Sequence, residues 1–224
     1  MKTLDITVDL ETCALCPTAA VMSIGAVAWD RYAHDIPFLM DEDGRIDKAS
    51  MFYQHVNIAS EFVDHFTFDD DTAYWWSRQN EKAKQALLEP DDTPLRPIWT
   101  VIEDFLTWIR ITWQRYEVDD ICLWSQGTDF DVAILRNICY KYKIDFPVKY
   151  TNFRDHRTYV MERGAAILQD EKCRFDNEPA RNPRAVYDMI PALDHTLMEA
   201  QAHNPIYDCM KSINSTWYMM NLDK

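Results

Sequence analysis

An α/β fold, helices packed on a central sheet, is the class that three stretches predict. The opening string "LDITVDLET" alternates apolar Leu4, Ile6, Val8 and Leu10 with Thr3, Asp5, Thr7, Asp9 and Glu11, the two-residue period of a strand. "VMSIGAVAWD" at 21–30 is an apolar run with Gly25 at its middle, which reads as a second, buried strand in a hairpin with the first. "DDICLWSQGTDFDVAILRNICYKY" at 119–142 reads as a short buried strand, a turn at Gly127 and a helix opening near Phe130 and Asp131.

The first strand carries the chemistry. Asp9 and Glu11 are two residues apart and therefore point the same way. Side-by-side carboxylates repel, and a core-bound strand keeps such a pair when a cation sits between them, a divalent metal being the obvious candidate. Two unrelated acids on a solvated strand end are the bland alternative.

At 224 residues, 47% of them hydrophobic, the chain suits one domain, 1–224, with insertions. No apolar run approaches the roughly 18 residues of a membrane span, and the chain enters its first strand without a signal-peptide pattern. A soluble, cytoplasmic protein with no membrane partner is expected. Six scattered cysteines, Cys13, Cys16, Cys122, Cys139, Cys173 and Cys209, suit a reducing compartment. A net charge of −14 argues against a protein that coats nucleic acid by counterion release. It leaves room for an enzyme that grips a few nucleotides at a carboxylate-held metal, because bound cations reverse the local field.

Taken in order, "TCALCPTAA" is the loop after the first strand. Its Cys13-x-x-Cys16 spacing can hold zinc or exchange thiols, but no second pair completes a zinc set and a strand, not a helix, follows. Residues 31–50 form an excursion that turns at Gly44, and 51–58 is the third strand. Asp69, Asp70 and Asp71 supply cap and first-turn acids for a helix that continues until Pro90. Within it Tyr74, Trp75 and Trp76 could stack on bases, although core packing is the reading favoured for each. Residues 94–114 form a further helix with Ile98, Ile102, Phe105, Ile109 and Thr112 or Trp113 on one face.

Asp131 sits where the central strand hands over to a helix, on the carboxyl edge where open α/β folds put their sites. Residues 151–164 give a strand end and a helix, with Asp155 as N-cap and Gly164 as C-cap. Residues 170–194, with Pro179, Pro183 and Pro191, form an irregular insertion. In the last helix Asn204 is the N-cap and Pro205 a first-turn residue, so Asp208 falls in the first full turn with His203 just outside.

Asp-x-Glu on the first strand, Gly-x-x-Phe-Asp after a central strand and His-x4-Asp at a C-terminal helix together resemble the DEDDh class of 3′-5′ exonucleases. The strings "DLET…PTAAVMSIGAVAWD", "TAYWWSRQ", "LWSQGTDFDVAILRN" and "FRDHRT" are similar to the branch of phage DexA exonucleases, the nuclease region of exonuclease VIII and a related bacterial exoribonuclease. This resemblance covers nearly the whole chain. It implies a ribonuclease H-like fold with a mixed central sheet flanked by helices. It also implies that Asp9, Glu11, Asp131 and Asp208 hold metal and that His203 completes the catalytic set. His65 and Asp70 also satisfy His-x4-Asp but precede the central aspartate; Asp129 is the alternative to Asp131 if the turn is shorter, whereas Asp131 follows Phe130 as in the family. Ser125-Gln126-Gly127 departs from the family's usual "WGNG", so substrate contacts from that turn are not carried over. Thr12, Trp75 and Trp76 are the candidate substrate contacts.

Four hard carboxylates suit Mg²⁺ or Mn²⁺, not zinc. Two ions about 3.5–4 Å apart can hold a scissile phosphate, one activating water and the other stabilising the leaving 3′ oxygen. An imidazole, which titrates at about 6.5, can take the water's proton near neutral pH, the role expected of His203. The expected enzyme releases nucleoside 5′-monophosphates from the 3′ end of single-stranded nucleic acid. DNA is favoured by closeness to the DexA type, and exoribonuclease action is the alternative, because a contact to the 2′-hydroxyl is not legible in motifs. A silent binding module and a thiol or zinc protein using Cys13 and Cys16 are the readings from other classes. A homodimer is expected by analogy, and the host cytoplasm if the chain is phage-encoded.

Overall fold

The computed structural model describes residues 2–88, 95–168, 183–194, 196–198 and 203–222. Its strands are β1 (Thr3–Thr12), β2 (Val21–Trp29), β3 (Met51–His55), β4 (Asp120–Ser125) and β5 (Phe153–Asp155), in the sheet order β3-β2-β1-β4-β5. β1, β2 and β3 run antiparallel in succession, while β4 and β5 run parallel to β1, so the sheet is mixed. In chain order the helices are α1 (Ile58–Val63), α2 (Asp70–Ser77), α3 (Glu81–Leu88), α4 (Ile98–Arg115), α5 (Ala133–Tyr142), α6 (His156–Leu168), α7 (Pro183–Tyr187) and α8 (Pro205–Asn221).

The alternation in β1 divides the molecule into two layers. Leu4, Ile6, Val8 and Leu10 enter a core with Ile102, Phe105 and Ile109 of α4 and Ile134, Leu135 and Ile138 of α5. Each large side chain buried this fully contributes about 1.5–3 kcal/mol. The opposite face meets α8, whose Ile206, Cys209, Met210 and Ile213 pack with Val27, Trp29 and Trp124. Two of the buried polar groups in this second layer, Asp5 and His156, are tied down. Asp5 is buried and accepts from Arg31 Nε at 2.7 Å and Trp124 Nε1 at 2.6 Å. His156 bonds Thr7 Oγ1 at 2.9 Å through Nε2 and Thr216 Oγ1 at 2.6 Å through Nδ1, joining β1 to α8; burial pushes its pKa down to about 3, so it is neutral.

Several boundaries differ from the sequence reading, each for a local reason. The third strand stops at His55 because Asn57 caps Ala59 N–H and opens α1. The helix expected to continue until Pro90 breaks in two: Arg78 closes α2, and Asn80 accepts from Ala83 N–H and opens α3. The helix expected from 94 begins at Ile98, because Pro97 takes an extended conformation at its N-cap. Thr112 is its buried residue at the end of the stripe, while Trp113 donates its indole N–H to Val118 O. Asp155 does cap, accepting from Thr158 N–H at 2.7 Å, and also holds Thr128 N–H at 3.1 Å. Gly164 is not a C-cap. It lies inside α6, where a Cβ would sit 2.3 Å from Val186 Cγ1, so its role is to let α7 approach. The expected irregular insertion at 170–194 falls partly outside the described residues, and its described part contains α7.

Candidate active site

Asp9 and Glu11 share the α8 face of β1. What brings the last helix to them is Gly25, the residue paired with Asp9 across β2. A Cβ at Gly25 would lie 2.4 Å from Pro205 Cβ and 2.9 Å from Pro205 C, so only hydrogen lets the α8 N-terminus rest on the sheet. Asn204 accepts from Ile206 and Tyr207 N–H and fixes where α8 begins. Asp208 then projects from the first turn, and carboxylate oxygens of Asp9, Glu11 and Asp208 come within 4.8 Å of one another. Gly25→Ala is expected to destabilise the protein by about 1–3 kcal/mol through overpacking. It should also lower turnover by about 10²-fold, because a shift near 1 Å at a catalytic group acts on that scale. Urea unfolding and kcat on an oligonucleotide check both.

Asp131 arrives by a different route. After β4 the chain makes a wide turn of π-helix at Thr128–Val132. In it Asp131 is buried and accepts from Leu10 N–H at 3.2 Å, while Asp129 is exposed. The fourth acid stands beside the trio, near enough for its charge to act on Asp9 and Glu11. Burial and then mutual repulsion raise the carboxyls: Glu11 to about 8, and Asp9 well above the usual range, with Asp131, Glu11 and Asp208 as its repelling neighbours. Burial lifts Asp131 to about 7 despite its bond from Leu10, and raises Asp208 against the opposing charges of Lys211 and His203.

His203 stands at the mouth in a left-handed conformation, φ 61°. Its Nε2 lies 3.2 Å from Gln79 Oε1, and Trp75 and Trp76 meet its ring edge-on at 5.1 and 5.4 Å. The core reading of the aromatic triplet is therefore corrected. Tyr74 and Trp75 are 64% and 47% exposed, and Trp76 is half-buried with its indole N–H on Thr12 O at 2.9 Å. Thr12 donates its hydroxyl to Ala14 O, and its carbonyl accepts from the Trp76 indole. Behind Trp76 lies a cavity of about 360 Å³ between β2, α1 and α2, lined by Cys13, Met22, Ile58, Phe68 and Ala73. Burial pushes the Cys13 thiol up to about 12, whereas the bond with Thr18 lowers the Cys16 thiol.

Gln79 and Gly25 are the site residues that the sequence reading did not assign. Gly25 carried a signal, a glycine inside a strand; Gln79 carried none. Gln126, in the turn that departs from the family pattern, donates from Nε2 to Ser212 Oγ at 2.7 Å and ties that turn to α8. The donor set fits hard cations: oxygen only, three carboxylates converging, and repulsion that a cation would relieve.

A family model described as the 3′-5′ exoribonuclease Rv2179c-like domain matches residues 4–208. Among solved structures, the nuclease domain of 3′hExo, a DEDDh family member, bound to rAMP, is similar with a TM-score of 0.55 and 11% identity, over 99% of this chain and 94% of that chain. That likeness is one of fold, the mixed sheet with flanking helices described above. No curated protein matches.

Proposed function

The chain belongs to the family of 3′-5′ exoribonuclease Rv2179c-like domains, and from this premise we propose that it is a 3′-5′ exonuclease of the DEDDh type that shortens single-stranded RNA one nucleoside 5′-monophosphate at a time. The observation that carries the reading is the convergence of Asp9, Glu11 and Asp208, with Asp131 beside them. The choice of RNA over DNA rests on the family description.

In this reading the four acids would hold two divalent cations, Mg²⁺ or Mn²⁺. When bound, such ions supply charge neutralisation at the scissile phosphate and a more acidic water. His203 would be the general base: with Nε2–H donating to Gln79 Oε1, Nδ1 is the nitrogen left to accept a proton from an attacking water. Trp75 and Trp76 offer ring faces beside the imidazole on which a terminal base can stack, worth about 1–3 kcal/mol per base. The excess of acidic over basic groups, a net charge of −14, suits a short grip on a 3′ end.

Parallel digestion of matched RNA and DNA oligonucleotides labelled at the 5′ end tests the substrate. Stepwise shortening of RNA with release of nucleoside 5′-monophosphates is expected; faster digestion of DNA overturns the RNA assignment, and no digestion of either overturns the activity. Helix α4 and the other described helices include none long and apolar enough to cross a membrane.

The raised carboxyls give a pH prediction for the metal-free protein. A group whose folded pKa exceeds its unfolded value stabilises fully below the unfolded value, and that stability is lost as pH rises through the folded one. For Glu11 the window runs from 4.5 to about 8, and for Asp131 from 3.8 to about 7. Thermal melts in chelator should therefore fall in temperature between pH 5 and pH 8. Mg²⁺ at 100 times its dissociation constant restores about 2.7 kcal/mol, or about 5–10 °C for a chain of this size. A melting temperature that is flat across this range in chelator, or unmoved by Mg²⁺, contradicts the prediction.

A further inference from the structure

Strand register places residues in rows across the face that carries the acids. Glu11 of β1 is paired with Ser23 of β2, and Ser23 with His55 of β3. Directly paired residues share a face, with Cβ atoms about 4.5–5.5 Å apart. One row over run Asp9, Gly25 and Tyr53; Pro205 covers Gly25, and the Tyr53 ring lies 4.8 Å from that of His55. The Glu11 row thus leads from the carboxylate cluster to the edge strand, next to the point where α8 begins.

Ser23 is fully buried and His55 only 7% exposed, yet Ser23 Oγ and His55 Nδ1 have no hydrogen-bond partner. An unpartnered buried polar atom costs about 1–3 kcal/mol. Two of them, neighbours in one row, share that row with a carboxylate of the converging trio. The oxygens that converge belong to Asp9, Glu11 and Asp208 and include no imidazole among the described residues, so His55 is not itself a ligand of that group.

We propose that Ser23 and His55 are positioning residues for Glu11: with a divalent cation held, His55 Nδ1–H donates to Ser23 Oγ, and the Ser23 hydroxyl donates to the Glu11 carboxylate. The chain of donors leaves one Glu11 oxygen engaged by the serine and turns the other toward the cation. Outer partners of this kind set the direction of a ligand, and removing one typically costs 10–100-fold in metal affinity. The inference rests on the reading of the four acids as metal ligands.

The test is calorimetric titration of Mn²⁺ into metal-free full-length protein, with melts in chelator as the control for folding and kcat and KM on an RNA oligonucleotide measured alongside. Ser23→Ala is expected to bind Mn²⁺ 10–100-fold more weakly, with kcat reduced at limiting metal, KM for RNA unchanged and the melt in chelator at or above the wild-type temperature. His55→Phe should show the same loss, and His55→Asn, which keeps an N–H donor, should regain most of it. Because the residues act in series, the double variant Ser23→Ala/His55→Phe should be no weaker than Ser23→Ala alone. Unchanged Mn²⁺ affinity in Ser23→Ala overturns the proposal, as does a loss confined to KM for RNA, which would make these residues substrate contacts. If His55→Phe does not melt cooperatively, His55→Asn set against Ser23→Ala decides, since weak binding in the former contradicts the donor chain. Wild-type protein that binds no Mn²⁺ overturns the metal reading itself, which separates the two failures.

Discussion

Asp208→Asn is expected to stay folded and to lose metal-dependent release of nucleoside 5′-monophosphates. The amide keeps the shape of the side chain and removes its charge from a trio whose oxygens lie within 4.8 Å of one another. Without that charge the cluster holds cations weakly and out of place. Removing one group that stabilises a transition state electrostatically costs about 10³ in rate, or about 4 kcal/mol of barrier. Stability moves the other way. Burial raises the Asp208 carboxyl, and Asp9 and Glu11 feel its charge as repulsion, so neutralising it relieves the metal-free protein. In chelator the variant should therefore melt at or above the wild-type temperature, and Mn²⁺ should raise it less. Wild-type turnover in the variant would falsify the assignment of Asp208.

Arg31→Ala is expected to produce the largest loss of stability. Asp5 has no solvent exposure, and its carboxylate is satisfied by the Arg31 guanidinium and by the indole N–H of Trp124. The guanidinium also lies 5.2 Å over the Trp124 ring. Truncating the arginine leaves a buried charge with one neutral donor, a change worth about 3–5 kcal/mol. The deficit should depend on pH in a definite direction. Burial raises the Asp5 pKa and Arg31 is the chief opposing influence, so without it the carboxyl rises further. The folded value then stands further above the unfolded one, and stability is lost as pH climbs above about 4. Urea unfolding at pH 7 and pH 5 checks this: the variant should fall furthest below wild type at pH 7, and Asp5→Asn in the Arg31→Ala background should recover part of the difference. Equal deficits at the two pH values contradict the account.

How much of this was legible in the sequence depended on how local each cause is. The period of "LDITVDLET" set β1 and put Asp9 and Glu11 on one face, because a strand's side-chain direction follows from its own residues. Asn204 and Pro205 marked the start of α8, and with it the turn that carries Asp208. Position after Phe130 separated Asp131, buried, from Asp129, exposed, although the π turn that does so has no recognised spelling. The split of α2 from α3 was missed because Asn80 is an ordinary helix residue until its side chain caps. The aromatic triplet was misread because exposure depends on what packs over a helix, and here His203 lies against it from far along the chain. Gln79 and His203 meet across 124 positions, a contact that no spacing encodes. The Glu11, Ser23 and His55 row needed strand register, which sequence alternation permits but does not choose.

The seat that Gly25 makes for Pro205 joins an early hairpin to a late helix. A ribosome making this protein completes β1 and β2 long before Asp208 is polymerised. Until α8 leaves the exit tunnel and docks, the growing polypeptide has only part of its acid cluster. The four acids therefore come together only once α8 has docked on Gly25.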